Sequence, residues 1–398
     1  MMKRRTFIQT IAAAALTANG ASAVQRQTQK AHVPDILTYL NRQITPAAAA
    51  QSAAQSVAQK NGQKNGQSKT GQNKTGKLGE GDIFWSVMWP YMYTVGKAEG
   101  TVGNSLGLNP YQIIYTYDTF ENFDDHPRRA YPILDADGRP TGKVSDAAGW
   151  PQFISTTWDT TRQKHPFWYD GPSFQAANQD LGFLYLHQDT GAHGVLMAGV
   201  TIDPPTQRLT VSYEKFMQAI SLDSQQWASL PGANIGEATG QHTRPKWWLW
   251  SQFQWALWKQ MGYRRSIVHP IGTDKRVTSK MGYQAWRGAT HWGQDFACQK
   301  GTEIRAPEDG RVTLTGYEPK GGYYLSFRPF AQPELDVIFR HCLHKSAVAL
   351  NTPVKAGILM GHAGNSGQST TAPHAHIEVT VDGQHIDPHY YLGMSQWF

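Results

Sequence analysis

The texture of the chain changes once, near residue 265. Upstream, apolar residues recur at three-to-four spacing. Downstream, short runs of Val, Ile, Tyr and Thr alternate with Gly and Pro. A helical period and a strand period each need their own packed layer, so the chain must build at least two cores. Asp82 can cap a helix whose apolar stripe is Phe84, Trp85, Met88, Met92 and Val95. Further helices are expected over 155–163, 173–189, 212–222 and 247–261. Strands are expected over 304–306, 310–316, 335–340 and 374–381. The expected fold class is multidomain α + β: a mainly helical domain over 81–262, then an antiparallel β-sheet domain over 263–398.

The 398 residues are 40% hydrophobic and 17% charged, enough for packed cores, which excludes a wholly disordered or fibrous chain. Residues 46–79 are the exception. They read as Ala, Gln, Lys, Asn, Gly, Ser and Thr, with the near-repeat QKNGQKNGQSKTGQNKTG. Nothing there can bury a core, so 24–80 is expected to be a flexible tether, with a short helix over 33–42. No apolar run reaches the length of a membrane span. The net charge of +7 is not gathered into a DNA-reading cluster, so no nucleic-acid partner is expected. Oligomeric state is not legible.

The N-terminus reads as an address. Lys3-Arg4-Arg5-Thr6-Phe7-Ile8-Gln9 resembles the twin-arginine export signature. A weakly apolar stretch follows over 8–18, and Ala21-Ser22-Ala23 fits a small-x-small cleavage site. Residues 1–23 are thus expected to be a signal peptide, and the mature chain to be periplasmic or secreted. Cys298 and Cys342 are the only cysteines. In an oxidising compartment they permit one disulfide, and a catalytic thiol is the rival reading.

Three pieces of the β domain carry metal chemistry: His291-Trp292-Gly293-Gln294-Asp295, Phe339-Arg340-His341, and His374-Ala375-His376. Neutral imidazoles with one carboxylate suit zinc with an open coordination position. His374 and His376 lie two apart on a strand and share a face. His291 and Asp295 would be about 13 Å apart on a straight strand. His291 must therefore lie in a turn that folds back, which Gly293 permits.

Residues 268–389 resemble the lysostaphin-type (LytM-like) zinc endopeptidases. The resemblance rests on His269-Pro270, the segment 277–282, His291 and Asp295, the segments 301–306, 309–312 and 354–357, Gly361 with the run 364–370, and Pro373-His374-Ala375-His376-Ile377-Glu378, all in the family's order. It implies Zn2+ held by His291, Asp295 and His376. It also implies His374 as base or orienter of water, and His341 as a stabiliser of the developing oxyanion. His344 is the rival for His341, because the chain is one residue longer than usual here. His269, His362, His385 and His389 read as ordinary histidines.

In the helical domain Glu99 stands out, in Lys97-Ala98-Glu99-Gly100-Thr101. A carboxyl at a helix end among apolar neighbours is placed to keep its proton near neutral pH and give it to a glycosidic oxygen. The surrounding text resembles the lambda-type phage endolysins, the lytic transglycosylases of glycoside hydrolase family 104. The match runs through 98–101, 123–128, 147–159 and 226–233, with Gly236, Gln241 and His242 after them. Trp150-Pro151 departs from the family's basic-aromatic pair. The resemblance implies a lysozyme-like fold with Glu99 as the single catalytic carboxyl. That carboxyl first protonates the leaving sugar, then takes the proton of the substrate's own C6 hydroxyl, which closes a 1,6-anhydro ring. Gln152, Trp158 and Ser229 are candidates for substrate contact. Asp124 and Asp125 read as a loop brace rather than a second acid.

Together these resemblances imply an exported, two-headed enzyme acting on peptidoglycan, its glycan strands and its peptide stems or cross-links. The alternative is a non-catalytic cell-wall-binding regulator of other hydrolases.

Overall fold

The computed structural model describes residues 80–135, 137–165, 173–233, 243–263, 267–272, 274 and 276–393. The expected signal peptide, the tether with its short helix, and Gly236, Gln241 and His242 lie outside the described residues. None of the described helices is long and apolar enough to cross a membrane. The chain divides into two compact units, 1–246 and 247–398.

The first unit opens with α1 (Glu80–Ala98). Its stripe of Phe84, Val87, Met88, Tyr91, Met92 and Val95 is buried, as the helical period requires. The helix stops where Gly100 takes a left-handed φ of 79°. The Thr101 amide donates to Gly96 O and the Gly100 amide to Lys97 O. That pair of bonds is a Schellman cap, and it fixes Glu99 as the C-cap residue, directly after the last helical position.

A hairpin follows, β1 (Tyr131–Leu134) with β2 (Pro140–Ser145). Next come α2 (Ser155–Lys164), α3 (Ala176–Asp189) and α4 (Ala192–Met197). A second hairpin pairs β3 (Val200–Asp203) with β4 (Arg208–Val211). The last helix of the unit is α5 (Tyr213–Asp223), whose N-cap Ser212 accepts from the Lys215 amide. The first hairpin is largely exposed, whereas β4 of the second buries Leu209 and Val211.

The second unit begins with α6 (Lys246–Gln260). This helix was expected to close the helical domain, yet its partners lie in the β-rich unit. Trp250 Nε1 donates to Val381 O at 3.4 Å, and the Asp387 amide donates to Ser251 Oγ at 2.9 Å. Leu249, Trp250 and Phe253 are fully buried. The contact boundary therefore falls between Lys246 and Trp247, ahead of the expected break at 262/263.

After α6 come β5 (Val277–Ser279), β6 (Gly282–Gln284), β7 (Ala289–His291), β8 (Gln294–Ala297) and β9 (Glu303–Arg305). The long strands are β10 (Gly310–Glu318), β11 (Gly322–Pro329) and β12 (Leu335–Cys342). They are followed by β13 (Pro353–Val354), β14 (Leu359–His362), β15 (His374–Val381), β16 (Gln384–Ile386) and a terminal α7 (Pro388–Leu392). The main sheet is antiparallel, in the order β13-β10-β11-β12-β15-β8-β5, with β16 also on β15. On β15, Ala375, Ile377, Val379 and Val381 alternate with His374, His376, Glu378 and Thr380. Strict alternation assigns the two sets to opposite faces.

The expected disulfide between Cys298 and Cys342 is not present in the structure. Cys298 directly follows β8, Cys342 ends β12, and β15 runs between those strands. Two strand spacings separate the cysteines by about 9–10 Å, beyond the ~7 Å that a disulfide can span.

Candidate metal centre and carboxylate cleft

The sheet register assembles the metal centre. His376 pairs with Asp295 across β15 and β8, and with Arg340 across β15 and β12. Partners in register share a face, so β8, β15 and β12 present Asp295, His376 and Arg340 together. His291 ends β7, and a bend at Trp292-Gly293 brings it back, as expected. The expected reason is corrected, because Gly293 does not use a left-handed φ. A Cβ there would lie 2.6 Å from both His376 Nε2 and Ile377 O. Glycine is required for close approach, not for an unusual backbone angle.

The three expected ligands converge. His291 Nε2 is 3.1 Å from His376 Nδ1 and 3.2 Å from Asp295 Oδ1, and His376 Nδ1 is 2.8 Å from Asp295 Oδ1. A tetrahedral ion bound at 2.0–2.1 Å holds its ligand atoms about 3.3 Å apart. The observed triangle has that size, and all three residues are buried. The supporting bonds fix which nitrogen is offered. His291 Nδ1 donates to Lys280 O at 3.0 Å, leaving Nε2 for the ion. His376 Nε2 donates to Glu378 Oε1 at 3.1 Å, leaving Nδ1. Burial opposes the charge on Asp295, but hydrogen bonds from His291 and His376 outweigh it and hold the carboxyl below the usual range. Two imidazoles and a carboxylate in this triangle fit Zn2+.

Two more histidines complete the cavity, of about 530 Å3. The His374 ring lies 5.0 Å from that of His341, and His374 Nε2 is 3.6 Å from Asp295 Oδ1. By alternation His341 would follow Phe339 to the apolar face. Its left-handed φ of 56° breaks the alternation, and its ring sits 5.8 Å from that of His376. His344 is exposed and does not line the cavity. Burial pushes the His341 imidazole down to about 4.

Glu378 and His385 also line the cavity; Glu378 was not singled out from the sequence, and the reading of His385 as an ordinary histidine is corrected. His385 Nε2 donates to Glu378 Oε2 at 3.0 Å, and its ring packs 5.1 Å from Trp292. Glu378 had a readable signal: it continues the polar face of β15 two residues beyond His376. His385 had none, because β16 is three residues long.

In the first unit, Glu99 lines a separate cavity of about 470 Å3. Ser229 Oγ donates to Glu99 Oε1 at 2.5 Å. Thr101 Oγ donates to Trp150 O at 2.7 Å and ties the helix end to the 148–153 loop. Gln152 lines the same cavity, with its amide nitrogen bonded to Gly149 O at 2.8 Å. Among the described residues lining this cavity, Glu99 is the one carboxylate.

Trp158 is not a cleft residue. It is fully buried, with its ring 4.7 Å from Phe174 and 5.4 Å from Phe153. It is the apolar anchor of α2. Asp125 pairs with Arg162 at 2.8 Å and with Arg128 at 3.0 Å, away from the cavity, in the bracing role expected of it.

Comparison with known proteins finds the same order of two regions, although the first match runs on into α6. Residues 90–256 match the family model for Endolysin, and residues 289–388 match that for Peptidase family M23. The chain carries an endolysin domain followed by an M23 metallopeptidase domain. The DD-carboxypeptidase/endopeptidase Mpg of Neisseria meningitidis serogroup B is 33% identical over 119 residues, 28% of this chain and 26% of that protein. The glycyl-glycine endopeptidase ALE-1 of Staphylococcus capitis is 35% identical over 94 residues, 23% of this chain and 25% of that protein. The chain thus spans about a quarter of the length of these curated relatives. The lysostaphin catalytic domain from Staphylococcus simulans shares 26% identity, with 30% of this chain and 93% of that structure covered at a TM-score of 0.28.

Proposed function

We propose that the protein is an exported peptidoglycan-degrading enzyme with two active sites. The M23 domain cuts peptide stems or cross-links, and the endolysin domain cuts the glycan with release of a 1,6-anhydro sugar. Zinc, when bound, lowers the pKa of water toward neutrality and polarises the scissile carbonyl. His374 Nδ1 donates to Ala372 O at 2.9 Å, so in the neutral ring Nε2 carries the lone pair and accepts a proton from the attacking water.

His341 is committed in the same way, with Nδ1 donating to Ser366 O at 2.8 Å. Stabilising an oxyanion from Nε2 would need the imidazolium, which burial opposes. In the neutral ring His341 is therefore a second acceptor that orients water, and only its protonated form would serve the oxyanion as expected.

The glycan reading is carried by one observation: among the described residues that line the cavity, Glu99 is the single carboxylate. Hydrolysis by a retaining or inverting route uses two. An internal C6 hydroxyl needs no second acid, because its effective concentration is already high. The complete ligand set and the seated Glu99 argue against a non-catalytic wall-binding regulator.

The test is mass spectrometry of fragments released from purified sacculi. Wild type should release 1,6-anhydro muropeptides together with cut peptides. Asp295→Ala or His376→Ala should lose zinc and peptide cleavage alone. Reducing-end sugars as the main glycan product would overturn the transglycosylase mechanism. Zinc retained at full stoichiometry in both ligand variants would overturn the metal assignment.

A further inference from the structure

Three non-glycine residues in the wall of the Glu99 cavity adopt left-handed backbone angles. Thr116 has φ 77°, Tyr117 64° and Gln152 53°. A β-branched or bulky residue with positive φ is a genuine outlier. Two such residues in succession persist only where the surroundings over-determine them, and such positions gather at ligand-gripping sites.

Here the surroundings are visible. The Ile114 amide donates to Asp118 O at 2.8 Å, the Tyr117 amide to Ile114 O at 3.0 Å, and the Tyr115 amide to Ala147 O at 2.8 Å. This clamped turn places Tyr117 beside the catalytic carboxyl. Its hydroxyl donates to Gly100 O, one residue after Glu99, at 3.3 Å. A Cβ on Gly100 would lie 2.7 Å from that hydroxyl, so Gly100 both ends α1 and leaves the seat for Tyr117. The side chain is tethered at its tip, yet the residue is 47% exposed. A large apolar ring held half in water at a cavity wall is not there for the core. It has the form of a flat plate that loses little conformational freedom when a ligand lies on it.

We propose that Tyr117 is a sugar-binding platform of the cleft, and that the left-handed Thr116-Tyr117 turn serves to hold it beside Glu99. The ligand class is the apolar face of a pyranose ring in the glycan strand. This inference rests on the glycan-cutting reading of the cleft.

The test uses the full chain and soluble glycan strands, with released fragments as the readout. Tyr117→Ala should raise KM about 10-fold while kcat changes little, and Tyr117→Phe, which keeps the ring, should stay near wild type. Thr116→Gly, which removes the strain, should melt no lower than wild type yet raise KM. An oligomer of N-acetylglucosamine titrated into Glu99→Gln should bind, and should bind more weakly when Tyr117→Ala is added. An unchanged KM in a folded Tyr117→Ala overturns the platform while leaving the glycosidase reading intact. If Tyr117→Ala does not fold, a wild-type KM in Thr116→Gly overturns it instead. A wild type that releases no glycan fragments overturns the reading of the cleft, and the platform with it.

Discussion

Glu378 and His376 are joined at the ring nitrogen that the metal does not need. Glu378 Oε1 lies 3.1 Å from His376 Nε2, while His376 Nδ1 faces Asp295. The same carboxylate accepts from Arg340 Nε at 2.6 Å and from His385 at 3.0 Å. Burial opposes its charge, but these donors outweigh it and hold the carboxyl below its usual range. A carboxylate in this place fixes the tautomer and the tilt of the ligand ring.

Glu378→Gln keeps the volume and loses the charge. Zinc affinity should fall about 10- to 100-fold, read by competition with a chromophoric chelator. Glycan release should be unaffected. An unchanged zinc affinity would mean that Glu378 only braces the sheet.

Glu99→Gln should slow glycan cleavage at least ~100-fold, the usual scale of general acid–base work. Ser229→Ala removes the hydroxyl bonded to Glu99. It should lower kcat about 10-fold with KM nearly constant, since the bond is made to the carboxyl rather than to sugar. A rise in KM without loss of kcat would make Ser229 a substrate contact instead.

Asp180 should make the stability of the helical unit depend on pH. Burial raises its carboxyl to about 7, against hydrogen bonds from Trp150 and Tyr111. The folded state keeps a proton that the unfolded chain gives up near pH 4. Stability is therefore full at low pH and falls as pH rises through 7, by up to about 4 kcal/mol. His193, lowered to about 4 mainly by burial, works in the opposite direction below its ordinary value. The variant must therefore be compared with wild type at each pH. Asp180→Asn should match wild type at pH 4 and exceed it at pH 8 in urea midpoint. Equal midpoints at pH 8 would show that Asp180 titrates normally.

Thiol titration should find two free thiols in denaturant and none rapidly reactive at Cys342 in the native protein. That thiol is buried and pushed up to about 12. A melting temperature that drops on adding reductant would restore the disulfide.

Much of this architecture is legible in the sequence because it is periodic. The two-residue alternation of β15 announces His376, and the three-to-four stripe of α1 announces Glu99. What stays hidden depends on register or on backbone angles. Nothing local shows that β15 separates Cys298 from Cys342, so the disulfide looks plausible. The turn of His341 toward the ligands depends on a φ that strand alternation cannot supply. Trp158 reads equally well as cleft or core until Phe153 and Phe174 close around it. The helix at 246–260 has an apolar face that fits either neighbour in the sequence, and only its bonds to Val381 and Asp387 assign it.

That helix governs how the two units can be separated on the bench. A peptidase fragment begun at 263 would leave behind Trp250 and Ser251, and with them a hydrogen bond to β15, the strand that carries His374 and His376. Such a fragment would be soft under the strand that holds His376, and weak peptide cleavage in it would say nothing about the full chain. A fragment begun at 247 carries its own foundation.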